Sequence, residues 1–463
     1  MNKILTAFII LTMGVMACKK DRLITSPDAI VSFSTDTLFF DTVFTGSGSI
    51  TQSFKIFNQN DQKILLTSVK LAGGADSPFK INIDGAASTE VNDVEMNAND
   101  SLYVFVQVNA TTNQQQLPFI LEDSISVSYN GKTAWMQLRA YGQNAVFLNN
   151  KTITTNTEWK DSLPYVINGF LKVDSGVTLK MSEGVRVFLH ADAPVLVNGT
   201  LQAQGSVAKP VMFSGDRLDQ DYRNLPASWP GIYLNSPSIN NILKHVVIQN
   251  AYQGIIVQSE SNNSQPKLIL SQSILQNIYD AGILSLNSSI AADNCLIANC
   301  GGNLELMMGG KYSFTNCTIV TYGSMNITHK NPVLQVADFF EQNGTTFTSD
   351  LQATFTNCIV WGDNGSVDDE ILTAKKGSGV FNLQFLNSIY KAKNQISNAT
   401  FTDCKLNTPP LFDSVNTSRN FYDFHFNNHP ESPAIKAGIP TSYPFDLDGK
   451  PRINPPDIGC YER

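Results

Sequence analysis

Two rhythms of hydrophobic and polar positions divide the chain. Between Ile30 and about Gly142 the apolar residues alternate with polar ones: Leu102, Val104, Val106 and Val108 in one run, Ile125, Val127 and Tyr129 in another, Phe54 and Ile56 in a third. A period of two buries one side of a strand and wets the other. Gly46, Gly48, Gly73-Gly74, Asp84-Gly85 and Asn130-Gly131 punctuate these runs as turns. Roughly seven short strands in about 115 residues predict a β-sandwich over residues 30–145.

From about Asn149 the rhythm becomes a repeat. Val177-Thr-Leu179 and Gly199-Thr-Leu201 open two similar units whose leucines stand 22 residues apart. Val247-Ile-Gln-Asn250 returns as Ile274-Leu-Gln-Asn277 and Leu296-Ile-Ala-Asn299. Phe314-Thr-Asn-Cys317, Phe355-Thr-Asn-Cys358, Phe385-Leu-Asn-Ser388 and Phe401-Thr-Asp-Cys404 follow. The steps Ser273 to Cys295 to Cys317 are 22 residues each, one coil of a β-helix, and longer steps hold polar insertions that belong in loops. Each coil needs its neighbours to bury its apolar side, so residues 146–430 are expected to stack into one core.

The repeat also decides how the cysteines read. Stacked coils would place Cys295, Cys317, Cys358 and Cys404 in one interior file, where a thiol serves as a small hydrophobe. Cys300 and Cys460 complete the set outside the leader, and no disulfide is expected. Zinc would want CxxC pairs or neighbouring histidines, which the spacing does not offer.

Three resemblances extend this reading. Phe54 to Asn58, Leu65 to Val69 and Ser77-Pro-Phe79 resemble the immunoglobulin-like modules that precede surface domains in bacterial proteins and serve there as spacers. The coil repeat, Val195-Leu-Val-Asn-Gly-Thr-Leu201 and Ser228-Trp-Pro-Gly-Ile-Tyr233 resemble the pectate-lyase-like right-handed parallel β-helix superfamily. Ser432 to Gly438, Asp446 to Arg452 and Pro456-Asp-Ile-Gly-Cys-Tyr-Glu462 resemble the choice-of-anchor Q segment that closes bacterial surface β-helices, here a cap over 431–463. The fold class expected is therefore all-β, an immunoglobulin-like sandwich followed by a right-handed parallel β-helix. Fold resemblance of this kind implies no particular reaction.

The first residues describe an export signal. Lys3 is the basic n-region, and Ile4 to Met16 form an apolar run that rises only about 20 Å as a helix, too short to span a bilayer. Val15-Met16-Ala17-Cys18 resembles the lipobox of bacterial lipoproteins, which implies removal of residues 1–17 and lipid on Cys18. Residues 18–29 would then be a polar tether, and the expected location is the bacterial outer membrane, on its surface or periplasmic side. Charged residues make up 16% of the chain with a net charge of −8 and no basic stripe, which argues against a nucleic-acid partner.

Candidate chemistry is sparse. The enzyme strings of the β-helix superfamily, such as Gly-His-Gly or Trp-Ile-Asp-His, are absent. Asp216, Asp219, Asp221, Tyr222 and Arg223 cluster ahead of Trp229, where carboxylates and a ring could hold a sugar. The competing reading makes this a solvated loop with Trp229 as a core plug. Asp446, Asp448 and Asp457 are candidate Ca2+ ligands, because alternate carboxylates around a Gly turn can converge on a hard cation. The competing reading has Arg452 pair with one of these aspartates and pin the segment over the last coil. Beyond Ca2+ no cofactor is expected. The partners expected are a membrane, through the lipid, and a polysaccharide or surface protein held without catalysis. A polysaccharide lyase or hydrolase with an unrecognised site is the alternative.

Overall fold

A computed structural model of the chain describes residues 22–114 and 117–463, so the leader and Cys18 lie outside it. The chain divides into two compact units between Asn144 and Ala145. Among the described residues no helix is long and apolar enough to cross a membrane.

The first unit is a sandwich of ten strands rather than seven. Its strands are β1 (Val31–Phe33), β2 (Thr37–Phe44), β3 (Gln52–Asn58), β4 (Ile64–Leu71), β5 (Phe79–Ile83), β6 (Ala86–Ala87), β7 (Glu90–Met96), β8 (Ser101–Val108), β9 (Phe119–Tyr129) and β10 (Lys132–Gln143). They form two five-stranded sheets, ordered β1-β3-β8-β5-β6 and β2-β10-β9-β4-β7. The short strands β1 and β6 lie at sheet edges and carry too little alternation to be seen in the sequence. Phe54, Ile56, Val104 and Val106 of one sheet share a core with Leu138, Ala140, Val127 and Leu66 of the other. Asn130 and Gly131 both take positive φ, +45° and +74°, which is the two-residue turn that joins β9 to β10.

The second unit holds one parallel sheet of 26 strands that winds as coils. Three strands make a coil, and each pairs in parallel with its counterpart one coil on, as Leu179 does with Leu201 and Ile274 with Leu296. From His245 onward, the turn between two strands of each coil is built on one residue in the left-handed region. His245, Gln272, Asn294, Asn316, Asn357, Asn387 and Asp403 all sit there with φ from +45° to +53°. Asn and Asp tolerate that conformation better than other side chains, which explains the recurring Asn in the repeat.

The residue after each of these turns points inward. Ser273, Cys295, Cys317, Cys358, Ser388 and Cys404 therefore stack in register along the interior, and all six cysteines among the described residues are free. Three positions before the file, Phe314, Phe355, Phe385 and Phe401 stack face to face with centroids 5.1, 4.8 and 4.8 Å apart. A single apolar cluster runs from Ile153 to Phe385.

The C-terminal segment does not sit over the last coil. It lies along the flank, on the outward side of the strands Leu296–Ala298, Thr318–Thr321 and Ile359–Gly362. There Leu447, Ile458, Cys460 and Tyr461 pack on Leu296, Val320, Ile359 and Trp361. Beneath this layer lies Asp293, whose Oδ2 accepts from Ser271 Oγ at 2.9 Å and Asn294 Nδ2 at 3.0 Å. Burial pushes its carboxyl from 3.8 up to about 6, against those two hydrogen bonds.

A carboxyl raised on folding favours the folded state while protonated and withdraws that support as pH climbs from 3.8 to about 6. Asp293→Asn should thus be more stable than the parent by about 3 kcal/mol at pH 7, with the two converging near pH 4. Urea unfolding of both proteins across that range checks it; a constant difference at all pH values would refute the assignment.

Candidate functional site

The loop ahead of Trp229 is closed largely on itself. Arg217 grips Asp219 through Nε at 2.7 Å and Nη2 at 3.0 Å, and its guanidinium lies 3.9 Å from the Tyr222 ring centroid. Asp216 Oδ2 meets His190 Nδ1 at 2.8 Å. Asn250 Nδ2 donates to the Arg223 carbonyl at 2.7 Å, which fixes the loop to the coil behind it. Asp221, Tyr222 and Arg223 are exposed. Trp229 is fully buried in the core, with Nε1 donating to the Gln249 carbonyl at 2.9 Å. The structure therefore engages Asp216, Asp219 and Tyr222 with neighbours and leaves Asp221 and Arg223 facing solvent.

The three C-terminal aspartates also go separate ways. Asp446 accepts from the backbone N–H of Lys450 at 2.7 Å and of Glu462 at 2.8 Å. Asp457 accepts from the N–H of Lys436 and of Arg463. Asp448 binds His425 Nε2 at 2.8 Å, which holds the Asp448 carboxyl below the usual range, while Asp423 takes the other ring nitrogen. Among the described residues no group of three or more His, Cys, Asp or Glu side chains is arranged to hold a metal ion. The carboxylate partner of Arg452 is Glu462 at 3.3 Å, not an aspartate; the Glu462 oxygens also accept from the N–H groups of Ile453 and Asp457, which holds the carboxylate in place.

The coils bring together a constellation that the sequence did not single out. After the corner at Asn250, Asn277 and Asn299, successive coils place Tyr252, Tyr279 and Gly301 one over another; Tyr279 N–H donates to the Ala251 carbonyl and Gly301 N–H to that of Ile278. The two tyrosine rings stack with centroids 5.5 Å apart and an angle of 24°. They are 46% and 51% exposed, so the pair is open to solvent. At Gly301 a Cβ would lie 2.2 Å from the Tyr279 carbonyl oxygen, so only glycine fits and no side chain continues the stack.

Two carboxylates flank this opening. Asp280 Oδ2 accepts from Gln253 Nε2 at 2.9 Å, and Glu305 Oε1 from Gln335 Nε2 at 3.4 Å. Glu305 folds back over Gly302, where a Cβ would meet its Oε1 at 2.4 Å. Burial, joined by the charge of Asp280, raises the Glu305 carboxyl above its usual range. The site thus offers two aromatic rings, acid groups that accept from hydroxyls, and amides fixed by neighbouring coils. A ring with one apolar face and hydroxyls around its rim matches that inventory.

A second face of the coils carries a shallow groove of about 410 Å³. Ser289, Lys311, Gln352 and Asn382 line it in register on four successive coils, beside Ser313 and Thr354. Its hydroxyls and amides repeat at the spacing of the coils, which suits an extended polymer laid along the axis. The signals that could have revealed both places are the tyrosines that follow the Asn250 and Asn277 corners and the alternating polar positions of the coil strands.

No family model and no curated protein matches this chain. Among solved structures, a family 123 glycoside hydrolase from Clostridium perfringens is 12% identical, over 24% of this chain and 25% of its own, with a TM-score of 0.18. The Vibrio cholerae VesB protease is 16% identical, over 24% of this chain and 31% of its own, also with a TM-score of 0.18. The chain spans less than a third of either protein, and likeness at that level informs neither fold nor site.

Proposed function

We propose that this is a lipid-anchored envelope protein whose β-helix holds a glycan without cleaving it. The exposed Tyr252–Tyr279 stack, ending at Gly301 between Asp280 and Glu305, carries the reading. A sugar ring stacks its C–H face on Tyr279 and donates hydroxyls to Asp280 and Glu305. Two neighbouring carboxylates disfavour acidic sugars and welcome neutral or amino sugars, since a protonated amine would relieve their repulsion. Anchoring rests on the leader and on Cys18, and labelled fatty acid that enters the parent but not Cys18→Ala would support it. The choice-of-anchor Q resemblance of residues 431–463 supports an extracytoplasmic location. The hand of the coils is taken as right, the hand of nearly all parallel crossovers, and the sandwich as immunoglobulin-like.

The test is calorimetric titration of the purified chain with neutral, amino and acidic oligosaccharides, followed by analysis of each mixture for products. Saturable binding of a neutral or amino sugar with no new reducing ends is the expected result. Turnover that disappears in Glu305→Gln would replace the binding reading by a hydrolytic one.

A further inference from the structure

The first unit, which the sequence marks only as a spacer, carries a face of its own. The outward side of β3, β8 and β5 is a grid in which Tyr103, Phe105 and Gln107 of β8 form the central column. Lys55 and Ser53 of β3 stand opposite Tyr103 and Phe105, and Asn82 and Lys80 of β5 stand opposite Phe105 and Gln107. Tyr103 and Phe105 are 43% and 41% exposed and lie nearly parallel, 13° apart with centroids 5.8 Å from one another. Lys55 Nζ sits 4.6 Å from the centroid of Tyr103.

A cavity of about 470 Å³ opens on this face between Phe105, Asn82, Gln107 and Thr51, with the β5–β6 hairpin as its rim. Gln107 Nε2 donates to Thr51 Oγ1 at 2.6 Å, which fixes the amide at the edge of the cavity. Lys80 is the one ionisable side chain in its lining. Its Nζ makes only long contacts, 3.4 Å to the carbonyls of Ala75 and Ser77, so most of its donor capacity is free for a ligand.

We infer that this face is a second saccharide site, one that takes a sugar bearing a carboxylate or sulfate. Phe105 supplies the platform, Asn82 and Gln107 the amides that meet hydroxyls, and Lys80 the counter-charge. The apolar surface is broken by polar side chains on both sides of the column, unlike the contiguous patch that a second protein surface would favour. Two lysines, Lys55 and Lys80, on a chain of net charge −8 are too few for a nucleic acid. This site prefers the charge that the Asp280 and Glu305 pair repels, so the two can be tested with different probes.

The probes are a cello-oligosaccharide and its uronic-acid counterpart, which share a backbone and differ in a carboxylate. Titrated into the full chain, the acidic form is expected to bind more tightly, and more weakly as salt is added. Lys80→Gln should remove that preference, weakening the acidic form about tenfold while leaving the neutral one unchanged. Phe105→Ala should weaken the acidic form by about tenfold as well, whereas Tyr279→Ala should not touch its binding. Both substituted side chains are exposed, so unchanged unfolding midpoints confirm that the variants fold. Equal affinity of parent and Lys80→Gln for the acidic form would overturn the proposal. So would a dimer in sedimentation that Phe105→Ala dissolves.

Discussion

Arg452→Met is expected to destabilise the second unit by about 3–5 kcal/mol, the usual cost of leaving one partner of a buried ion pair alone. The side chains of Arg452 and Glu462 are each 4% exposed. The guanidinium spends its five donors on Asn294 Oδ1 twice, at 3.0 and 2.6 Å, on the Asp457 and Gly459 carbonyls at 3.2 and 2.8 Å, and on Glu462. Methionine would fill the volume and strand all of these acceptors. Arg452→Lys should rescue little, since one ammonium cannot replace a planar fork. The loss is read by urea unfolding. Hydrogen exchange should show the 440–463 segment leaving the flank before the coils open. A cost under about 1 kcal/mol would mean that the pair is solvated and the flank layer is held by its apolar contacts alone.

Phe355→Ala should cost a similar amount, about 3–5 kcal/mol, by opening a cavity in the middle of the phenylalanine file. Phe355 is fully buried between Phe314 and Phe385, with rings 5.1 and 4.8 Å away and nearly parallel. Rigid coils above and below cannot collapse into the space, because their spacing is fixed by backbone pairing in register. Cys358→Ala, one corner further on, removes only a thiol and should cost far less. Thermal or urea unfolding of the two variants side by side checks the contrast. Equal losses would contradict the packing described.

What the sequence revealed and what it hid follow from how local each feature is. The coils were legible because a left-handed corner (Gln272, Asn294, Asn316) and a small inward residue after it (Ser273, Cys295, Cys317) recur every 22 residues. The ten strands of the sandwich were undercounted because β1 and β6 span three and two residues, too short to show a period. The partners of Arg452 were misjudged because Asn294 lies 158 residues away in the chain and only the stacking of the segment on the coils brings it within reach.

The tyrosine opening was hidden for a related reason. Tyr252, Tyr279 and Gly301 are separated by unequal steps, since the insertion at 259–266 lengthens one coil. Stacking, not sequence spacing, brings them together. The Asp216 to Arg223 cluster shows the converse. Its residues are dense in the sequence, yet Arg217 and His190 claim two of its carboxylates.

The most direct test of the central claim is the affinity of the parent and of Tyr279→Ala for one neutral or amino-sugar oligosaccharide that the parent binds. If the stack holds the sugar, truncating Tyr279 should weaken binding about tenfold or more while the unfolding midpoint stays in place. Unchanged affinity in Tyr279→Ala would contradict the claim and move the glycan, if one is bound, to another face of the coils.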